Sequence, residues 1–338
     1  MVSRRLCLAG TTGLLAFAAQ GSAWAQATRS YILATATIGG TYYPVGVALA
    51  TLTKVRLQAA KGIDLSAITS AGAVENLRLM RENQAQFALM MGLFGLYARD
   101  GAGPLAQEGP QRQLRAIANL WPQVEQVIVR ARFVQTGTVD DLANLRGRRF
   151  SMSARNSGTE FANRFLFGNL GLDPDRTFDL VYQGFGPTAE AMLAGQVDGF
   201  NAGAGIPVPA VTQLFARGGS EFAFLEFTEE QARRADGGAG LFYPFVIPPN
   251  TYPGQTRPVR TIAQPNFFVV NAALPEADVY EITKAMFENL PFLHGIHAAT
   301  REISLATALK GVVNPLHPGA ARYYAEHGIA IPEAIRPV

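Results

Sequence analysis

Cysteine is almost absent from this chain of 338 residues, and charged residues are scarce. The single cysteine, Cys7, lies in a basic and apolar N-terminal segment. The rest of the chain therefore can form no disulfide, no thiolate metal site and no cysteine nucleophile. Charged residues make up 16% and apolar residues 48%, so the chain can bury a large core and does not have the composition of a disordered protein.

Histidine is also scarce, and all four histidines fall in the last 45 residues: His294, His297, His317 and His327. His294 and His297 share a helix face and could hold a metal, but no acidic residue lies between them. A serine nucleophile is not indicated, because no Gly-x-Ser-x-Gly sequence surrounds Ser157. Glu75 and Glu160 could be paired for acid–base chemistry, but we interpret them as supporting helix starts or meeting a ligand ammonium. We therefore predict no catalytic residue, no metal and no cofactor.

The first 25 residues have the features of a secretory signal peptide. Arg4 and Arg5 form its basic region, residues 6–19 its apolar stretch, and Ala23-Trp24-Ala25 a cleavage site. We expect cleavage after Ala25 and a periplasmic protein, by either the general or the twin-arginine route. Without this leader, 27 basic and 26 acidic residues remain, which argues against a nucleic-acid partner.

Short β-type runs alternate with amphipathic segments along the rest of the chain, which predicts an α/β protein. The predicted strands are 31–36, 63–69, 86–91, 114–120, 126–131, 149–153, 197–201 and 266–270. The predicted helices are 43–59, 74–83, 138–145 and 156–170, with mostly helical sequence after residue 270. The proline-rich segment 243–259 is predicted to be irregular.

At four places a strand is followed by small polar residues and a helix start, at 37–42, 70–75, 156–160 and 198–205. In parallel sheets such loops gather at the carboxyl ends of the strands. The free N–H groups of a helix start can bind a carboxylate or phosphate without a cationic side chain. Ser157 is predicted to cap its helix, with Glu160 returning to the Ser157 N–H. Two early loops and two later ones predict two lobes across a cleft.

Six segments also carry a resemblance to a known family. They are IGGTYYPVG (38–46), SAGAVENLRLM (70–80), NSGTE (156–160), NTYPGQ (250–255), YEITKAMFEN (280–289) and PLHPGAARYY (315–324). In this order they resemble the TAXI (TRAP-associated extracytoplasmic immunogenic) solute receptors of tripartite ATP-independent periplasmic transporters. The resemblance runs from about residue 34 to residue 329. It implies a type II periplasmic-binding-protein-like α/β fold, whose two lobes, joined by a hinge, close on a small carboxylated ligand.

The resemblance also implies which residues form the ligand site. Carried over position by position, they are Gly39, Gly40, Thr41, Tyr42, Ser70, Ala71, Gly72, Glu75, Asn76, Ser157, Gly158 and Thr159. We add Asn201 from the fourth loop. This chain departs from the family at Ala71, at Met91-Gly92-Leu93-Phe94, where a polar stretch is usual, and at Arg155, which replaces a small residue. We predict that Met91 and Gly92 form an apolar subsite and that Arg155 can grip a carboxylate.

These inferences define the expected organisation and partners. We expect a signal peptide over 1–25, a first lobe from 26–130 plus 266–338, and a second lobe from 131–265, with hinge crossovers near 126–131 and 266–270. The expected ligand is a small organic anion or amino acid, glutamate- or 2-oxoglutarate-like or less polar, bound better than glutamine. The expected partners are TRAP-type permease subunits, and the protein is expected to be monomeric. An enzyme on the same fold, and a receptor for a sensor or an ABC importer, remain alternatives.

Overall fold

The computed structural model describes residues 28–338, so the expected signal peptide and its cleavage site lie outside the described residues. The strands are β1 (Arg29–Ala34), β2 (Ile63–Ile68), β3 (Phe87–Met91), β4 (Leu114–Val124), β5 (Val127–Arg130), β6 (Arg149–Ser151), β7 (Asp179–Val181), β8 (Gly199–Asn201), β9 (Phe222–Leu225), β10 (Tyr243–Ile247) and β11 (Val259–Asn271).

The α-helices are α1 (Tyr42–Thr53), α2 (Ala59–Lys61), α3 (Ala73–Arg81), α4 (Gly92–Asp100), α5 (Gly158–Asn169), α6 (Pro174–Thr177), α7 (Phe185–Leu193), α8 (Pro209–Gly218), α9 (Glu229–Asp236), α10 (Glu276–Glu288), α11 (Leu290–Ile296) and α12 (Pro318–Glu326). A π-helical segment, Lys54–Gln58, joins α1 to α2. Short 3₁₀ helices occupy Gly103–Leu105, Ala131–Phe133, Val139–Leu145, Gly219–Glu221, Ala298–Glu302 and Glu333–Ile335.

The first sheet, the core of the first lobe, has the strand order β10-β11-β3-β1-β2, with β4 also paired to β11. Strand β1 pairs in parallel with β2 and β3, whereas β11 runs antiparallel to β3, β4 and β10. All five residues of β3 are buried, as expected for a strand covered on both faces. Helices α1, α3 and α4 follow β1, β2 and β3, so their N-termini lie at the carboxyl edge of this sheet.

The second sheet, the core of the second lobe, has the order β7-β6-β8-β5-β9. Strand β6 pairs in parallel with β7 and β8, and helices α5, α7 and α8 follow these three strands. The chain passes between the lobes twice, through Glu125 and Gln126 after β4 and through α9 between β9 and β10. No helix within residues 28–338 is long and apolar enough to cross a membrane.

The second crossover and the proline-rich segment differ from the expectations. Residues 266–270 lie inside β11, paired with β3, and are not a hinge. The segment predicted to be irregular contains β10, which pairs with the beginning of β11, so that residues 243–247 and 259–263 belong to the first sheet. Pro244 is tolerated because β10 is an edge strand, where a missing N–H need not break a ladder.

Candidate ligand-binding site

A cavity of about 40 Å³ lies where the carboxyl ends of the parallel strands of both lobes face each other. Loops after β1, β2, β6 and β8 line it, together with the ends of β3 and β4 and the starts of α5 and α7. The lining residues are Ala36, Thr37, Gly40, Thr41, Tyr42, Ala71, Gly72, Ala73, Met91, Gln123, Ser153, Gly158, Thr159, Phe185, Gly203 and Ala204. Ligands of open α/β sheets bind at this edge.

The N-termini of α3 and α5 oppose each other across this cavity. A Cβ atom added to Gly158 would lie 2.9 Å from the Cβ of Ala73 and 3.1 Å from the Cε of Met91. The N–H groups of Gly158 and Thr159, at the start of α5, have no acceptor within residues 28–338. Free N–H groups at a helix start carry partial positive charge and attract an anion.

The cleft between the lobes is closed by direct contacts. The Thr41 hydroxyl donates to the Gly205 carbonyl at 2.6 Å, and the Ala210 N–H donates to the Gly39 carbonyl at 3.3 Å. Gly39 has a φ of +98°, and a Cβ there would lie only 3.0 Å from the nitrogen of Gly186. Thr41 lines the cavity, but its hydroxyl donates its proton to the opposite lobe and not to a ligand.

None of the described residues that line the cavity carries a charge at neutral pH. The polar side chains are the hydroxyls of Thr37, Thr41, Ser153 and Thr159 and the amide of Gln123, with the phenol of Tyr42 at one wall. That phenol donates to Asn266, and burial raises its pKa well above the usual range. An anion in this cavity would be held by N–H groups and hydroxyls, as the sequence predicts.

Half of the sixteen predicted site residues line the cavity: Gly40, Thr41, Tyr42, Ala71, Gly72, Met91, Gly158 and Thr159. The other eight do not: Gly39, Ser70, Glu75, Asn76, Gly92, Arg155, Ser157 and Asn201. Most of these eight hold the lining residues in place, either through hydrogen bonds or through close packing of a glycine.

Ser70, Glu75 and Asn76 support the loop before α3. The Ser70 hydroxyl donates to the Asn76 side-chain oxygen at 2.6 Å, and Glu75 accepts from the Ala71 N–H at 2.7 Å. The Asn76 amide donates to the carbonyls of Thr35 and Leu89, each at 2.8 Å. These side chains satisfy buried backbone groups and so fix the loop's position.

Ser157 caps α5 as predicted, because its hydroxyl accepts from the Glu160 N–H at 3.1 Å. The predicted hydrogen bond from the Ser157 N–H to Glu160 is not formed. Glu160 accepts instead from the N–H of Asn156 at 2.6 Å, and the Ser157 N–H donates to the Ala154 carbonyl. Gly92 begins α4 and packs against Pro265, since a Cβ there would lie 2.8 Å from the proline Cγ.

Arg155 lies outside the cavity, which corrects the prediction that it could grip a carboxylate there. The carbon of its guanidinium stands 3.8 Å from the centre of the Tyr182 ring. It borders a separate recess of about 350 Å³ that Glu75 and Arg78 also line. A guanidinium stacks readily on an aromatic face, and this contact supplies its partner.

Asn201 belongs to a buried polar network around Glu125. The Asn201 amide donates to Glu125 and to Asn163, each at 2.7 Å, and Gln264 donates to Glu125 at 3.3 Å. Burial raises the pKa of Glu125 to about 7. A Cβ added to Gly203 would lie 2.8 Å from a Glu125 carboxyl oxygen, so this carboxyl packs directly behind the cavity wall.

Eight lining residues are absent from the sequence prediction: Ala36, Thr37, Ala73, Gln123, Ser153, Phe185, Gly203 and Ala204. Four of them lie inside loops that the sequence predicts at strand ends, although they are not among the predicted site residues: Thr37 in 37–42, Ala73 in 70–75, and Gly203 and Ala204 in 198–205. Gln123 and Ser153 carry no local signal, because only the pairing of distant strands brings them to the cavity.

This architecture, with one α/β sheet in each of two lobes, is the fold of the periplasmic binding proteins, which confirms the predicted fold class. A structure described as a periplasmic transporter superposes with a TM-score of 0.52 at 12% identity, over 80% of this chain and 87% of that chain. A Bordetella bronchiseptica RB50 protein gives 0.52 at 16% identity, over 90% and 85%. The alkanesulfonate-binding protein SsuA from Xanthomonas axonopodis pv. citri, bound to MOPS, gives 0.47 at 15% identity, over 92% and 98%.

The chain belongs to the NMT1-like family, whose model matches residues 33–328. The match covers every residue that lines the cavity and both sheets, apart from residues 29–32 of β1.

Proposed function

We propose that this protein is a periplasmic solute receptor of the TAXI type that captures a small carboxylate and delivers it to a TRAP-type permease. The proposed ligand class rests on one observation. Gly158 and Thr159, whose N–H groups have no acceptor among the described residues, line a cavity whose described lining has no charged residue. A carboxylate binds such helix starts without a cation. The six sequence segments that resemble TAXI receptors support the permease type.

The dimensions of the cavity support a small ligand and a moving cleft. A cavity of about 150 Å³ accommodates benzene, and the closed cleft here offers about 40 Å³. A glutamate- or 2-oxoglutarate-like acid therefore requires the lobes to separate or shift as it binds. Met91 provides an apolar wall, which favours ligands with a less polar body. We infer capture by closure of the lobes around the ligand.

The side chains of the site suit ligand binding and not catalysis. The lining residues supply hydroxyls, one amide, one phenol and backbone groups, and Glu125 lies behind Gly203. General acid–base catalysis needs a titratable group within hydrogen-bond reach of the substrate. The one such group in the described lining is the Tyr42 phenol, which donates to Asn266 and whose pKa burial raises well above the usual range. We therefore propose a receptor that releases its ligand unchanged.

Calorimetry tests the proposal. Glutamate, 2-oxoglutarate, succinate and lactate are titrated into the protein beside their methyl esters, and each mixture is analysed again after hours. We expect one or more acids to bind at one site and to be recovered unchanged, while the esters fail to bind. Equal binding of acids and esters would contradict the ligand class, and turnover would contradict the receptor role. Genes for TRAP membrane subunits beside this gene would support the partner, and ABC importer genes would contradict it.

A further inference from the structure

Gln123 is the one lining side chain in the described cavity whose hydrogen-bond acceptor is buried and left without a donor. It lies near the end of β4 and is 2% exposed. Its side-chain nitrogen donates to the carbonyl of Gly203, which also lines the cavity. Its side-chain oxygen has no donor within residues 28–338. A buried acceptor without a donor destabilises the protein unless a ligand or water supplies one.

The neighbours of Gln123 fix which atom of its amide is left unpaired. Rotating the amide by half a turn would place its oxygen against the Gly203 carbonyl oxygen, two acceptors in contact. The bond to Gly203 therefore leaves the oxygen as the unpaired atom. On the neighbouring strand, Gln264 lies opposite Gln123, and its nitrogen donates to Glu125 instead.

Among the described side chains that line the cavity, the Gln123 oxygen is thus the one unpaired buried acceptor, beside several donors. The N–H groups of Gly158 and Thr159 suit a carboxylate, and the hydroxyls of Thr37 and Thr159 can donate or accept. The Gln123 oxygen can only accept. A ligand that places an oxo oxygen beside it would bring two acceptors together, whereas a hydroxyl or amino group would complete the bond.

We propose that Gln123 selects, among small carboxylates, those that carry a hydrogen-bond donor beside the carboxylate. This inference rests on the proposed function and refines its ligand class: a hydroxy acid or an amino acid binds in preference to a 2-oxo acid or an unsubstituted acid. It differs from the sequence prediction, which ranks oxo and hydroxy acids together and above glutamine. A site built to hydrogen-bond an O–H or N–H group rejects an analogue that lacks it, because the partner group is then left unpaired.

Calorimetry on matched acids tests this selection. One series is lactate, alanine, pyruvate and propionate, and a second is 2-hydroxyglutarate, glutamate, 2-oxoglutarate and glutarate. Within a series, we expect the hydroxy or amino acid to bind at least about tenfold more tightly than the oxo acid and the unsubstituted acid. Whether hydroxyl or ammonium binds more tightly distinguishes the two donor types, and either ranking supports the proposal.

Two variants locate the effect. Gln123→Met keeps the length of the side chain but removes the acceptor, and should reduce the preference to about threefold or less. If Gln123→Met folds poorly, the ranking of the matched acids on the wild-type protein still tests the proposal. Gln113→Met is the matched control, because Gln113 precedes β4, bonds to Gln111 and lies outside the cavity.

Two kinds of failure are distinguishable. Equal affinities for the oxo acid and the hydroxy or amino acid, or a preference that survives Gln123→Met, would overturn the role of Gln123 and leave the receptor in place. Failure of every carboxylate to bind would contradict the proposed function, and this inference with it.

Discussion

Gly72 and Gly158 face each other across the cleft: a Cβ atom added to Gly72 would lie 3.6 Å from the nitrogen of Gly158. The first residue precedes α3 in the first lobe, and the second begins α5 in the second lobe. The absence of side chains at both positions lets the two helix starts approach closely. The contact between Gly72 and Gly158 therefore affects both the closure of the lobes and the access of a ligand to the free N–H groups of α5.

The variant Gly158→Ala should prevent full closure. Its new methyl group would lie 2.9 Å from the Cβ of Ala73, closer than such atoms pack, so the lobes must separate. Gly158 does not have a positive φ, so alanine fits the local backbone. We expect ligand affinity to fall about tenfold or more, an effect of about 1.4 kcal/mol or more, with little change in melting temperature.

Gly168→Ala is the matched control, because Gly168 lies in the same helix and a Cβ there meets no atom within 4 Å. It should keep wild-type affinity, and alanine stabilises a helix interior by up to about 1 kcal/mol relative to glycine. Titration calorimetry and thermal melting of both variants provide the comparison. Wild-type affinity in Gly158→Ala would show that the two helix starts do not need to meet.

Removal of the Thr159 hydroxyl should affect the ligand and not the fold. The side chain lines the cavity and its hydroxyl has no recorded partner among the described residues. We expect Thr159→Ala to weaken binding by about 0.5–1.5 kcal/mol for a neutral bond, and up to about 3 kcal/mol if the hydroxyl meets the charge. Unchanged affinity, measured by calorimetry, would place the ligand away from α5.

The Thr41 hydroxyl should act through closure. Thr41→Ala leaves the buried Gly205 carbonyl without its donor, at a cost of about 1–3 kcal/mol in the closed form. We expect weaker binding of every carboxylate by a similar factor, without a change in their ranking. X-ray scattering at saturating ligand should show a larger radius of gyration than in the wild type. A changed ranking with wild-type compaction would mean that Thr41 contacts the ligand directly.

Glu125 should make folding stability depend on pH. Burial raises its pKa from 4.5 to about 7, so between these values the folded protein keeps a proton that the unfolded chain releases. Raising the pH through this range therefore lowers the free energy of unfolding, by up to about 3 kcal/mol from this group. The free energy of unfolding, measured with urea at pH 5 and pH 7.5, should fall with rising pH in the wild type and fall less in Glu125→Gln. Equal losses in both proteins would mean that Glu125 is ionised when folded.

The exported protein should begin at Gln26. The prediction comes from the Ala23-Trp24-Ala25 site behind a short apolar run, in the part of the chain outside the described residues. Intact-mass analysis of protein recovered from the periplasm checks it. A retained leader or a lipid adduct would contradict it.

The sequence predicts the fold class and the loops at the strand ends because both depend on local patterns. Alternation of strands with helices, and small residues before a helix start, locate the loops that hold Gly40, Gly72 and Gly158. The sequence does not predict strand β10, because Pro244 suggests irregular chain and nothing local shows that the strand would lie at an edge. It predicts a hinge in the middle of β11, because the sequence alone does not show which strands pair.

Side-chain direction within the site was harder to predict. Asn76 lies in a segment that resembles a ligand site, yet its amide turns inward because the carbonyls of Thr35 and Leu89 need donors. Arg155 finds its partner in Tyr182, a residue far along the chain. Gln123 reaches the cavity only because β4 pairs with β11. Each of these outcomes depends on tertiary contacts that no local pattern contains.

Native mass spectrometry of protein purified gently from the periplasm tests directly whether the cleft binds a small carboxylate. The intact complex is weighed, and the released molecule is then identified by its fragmentation. We predict one organic acid per protein, with at least one carboxylate and a hydroxyl or amino group beside it. A neutral solute, or a phosphate or sulfonate, released from the wild-type protein would contradict the proposed ligand class.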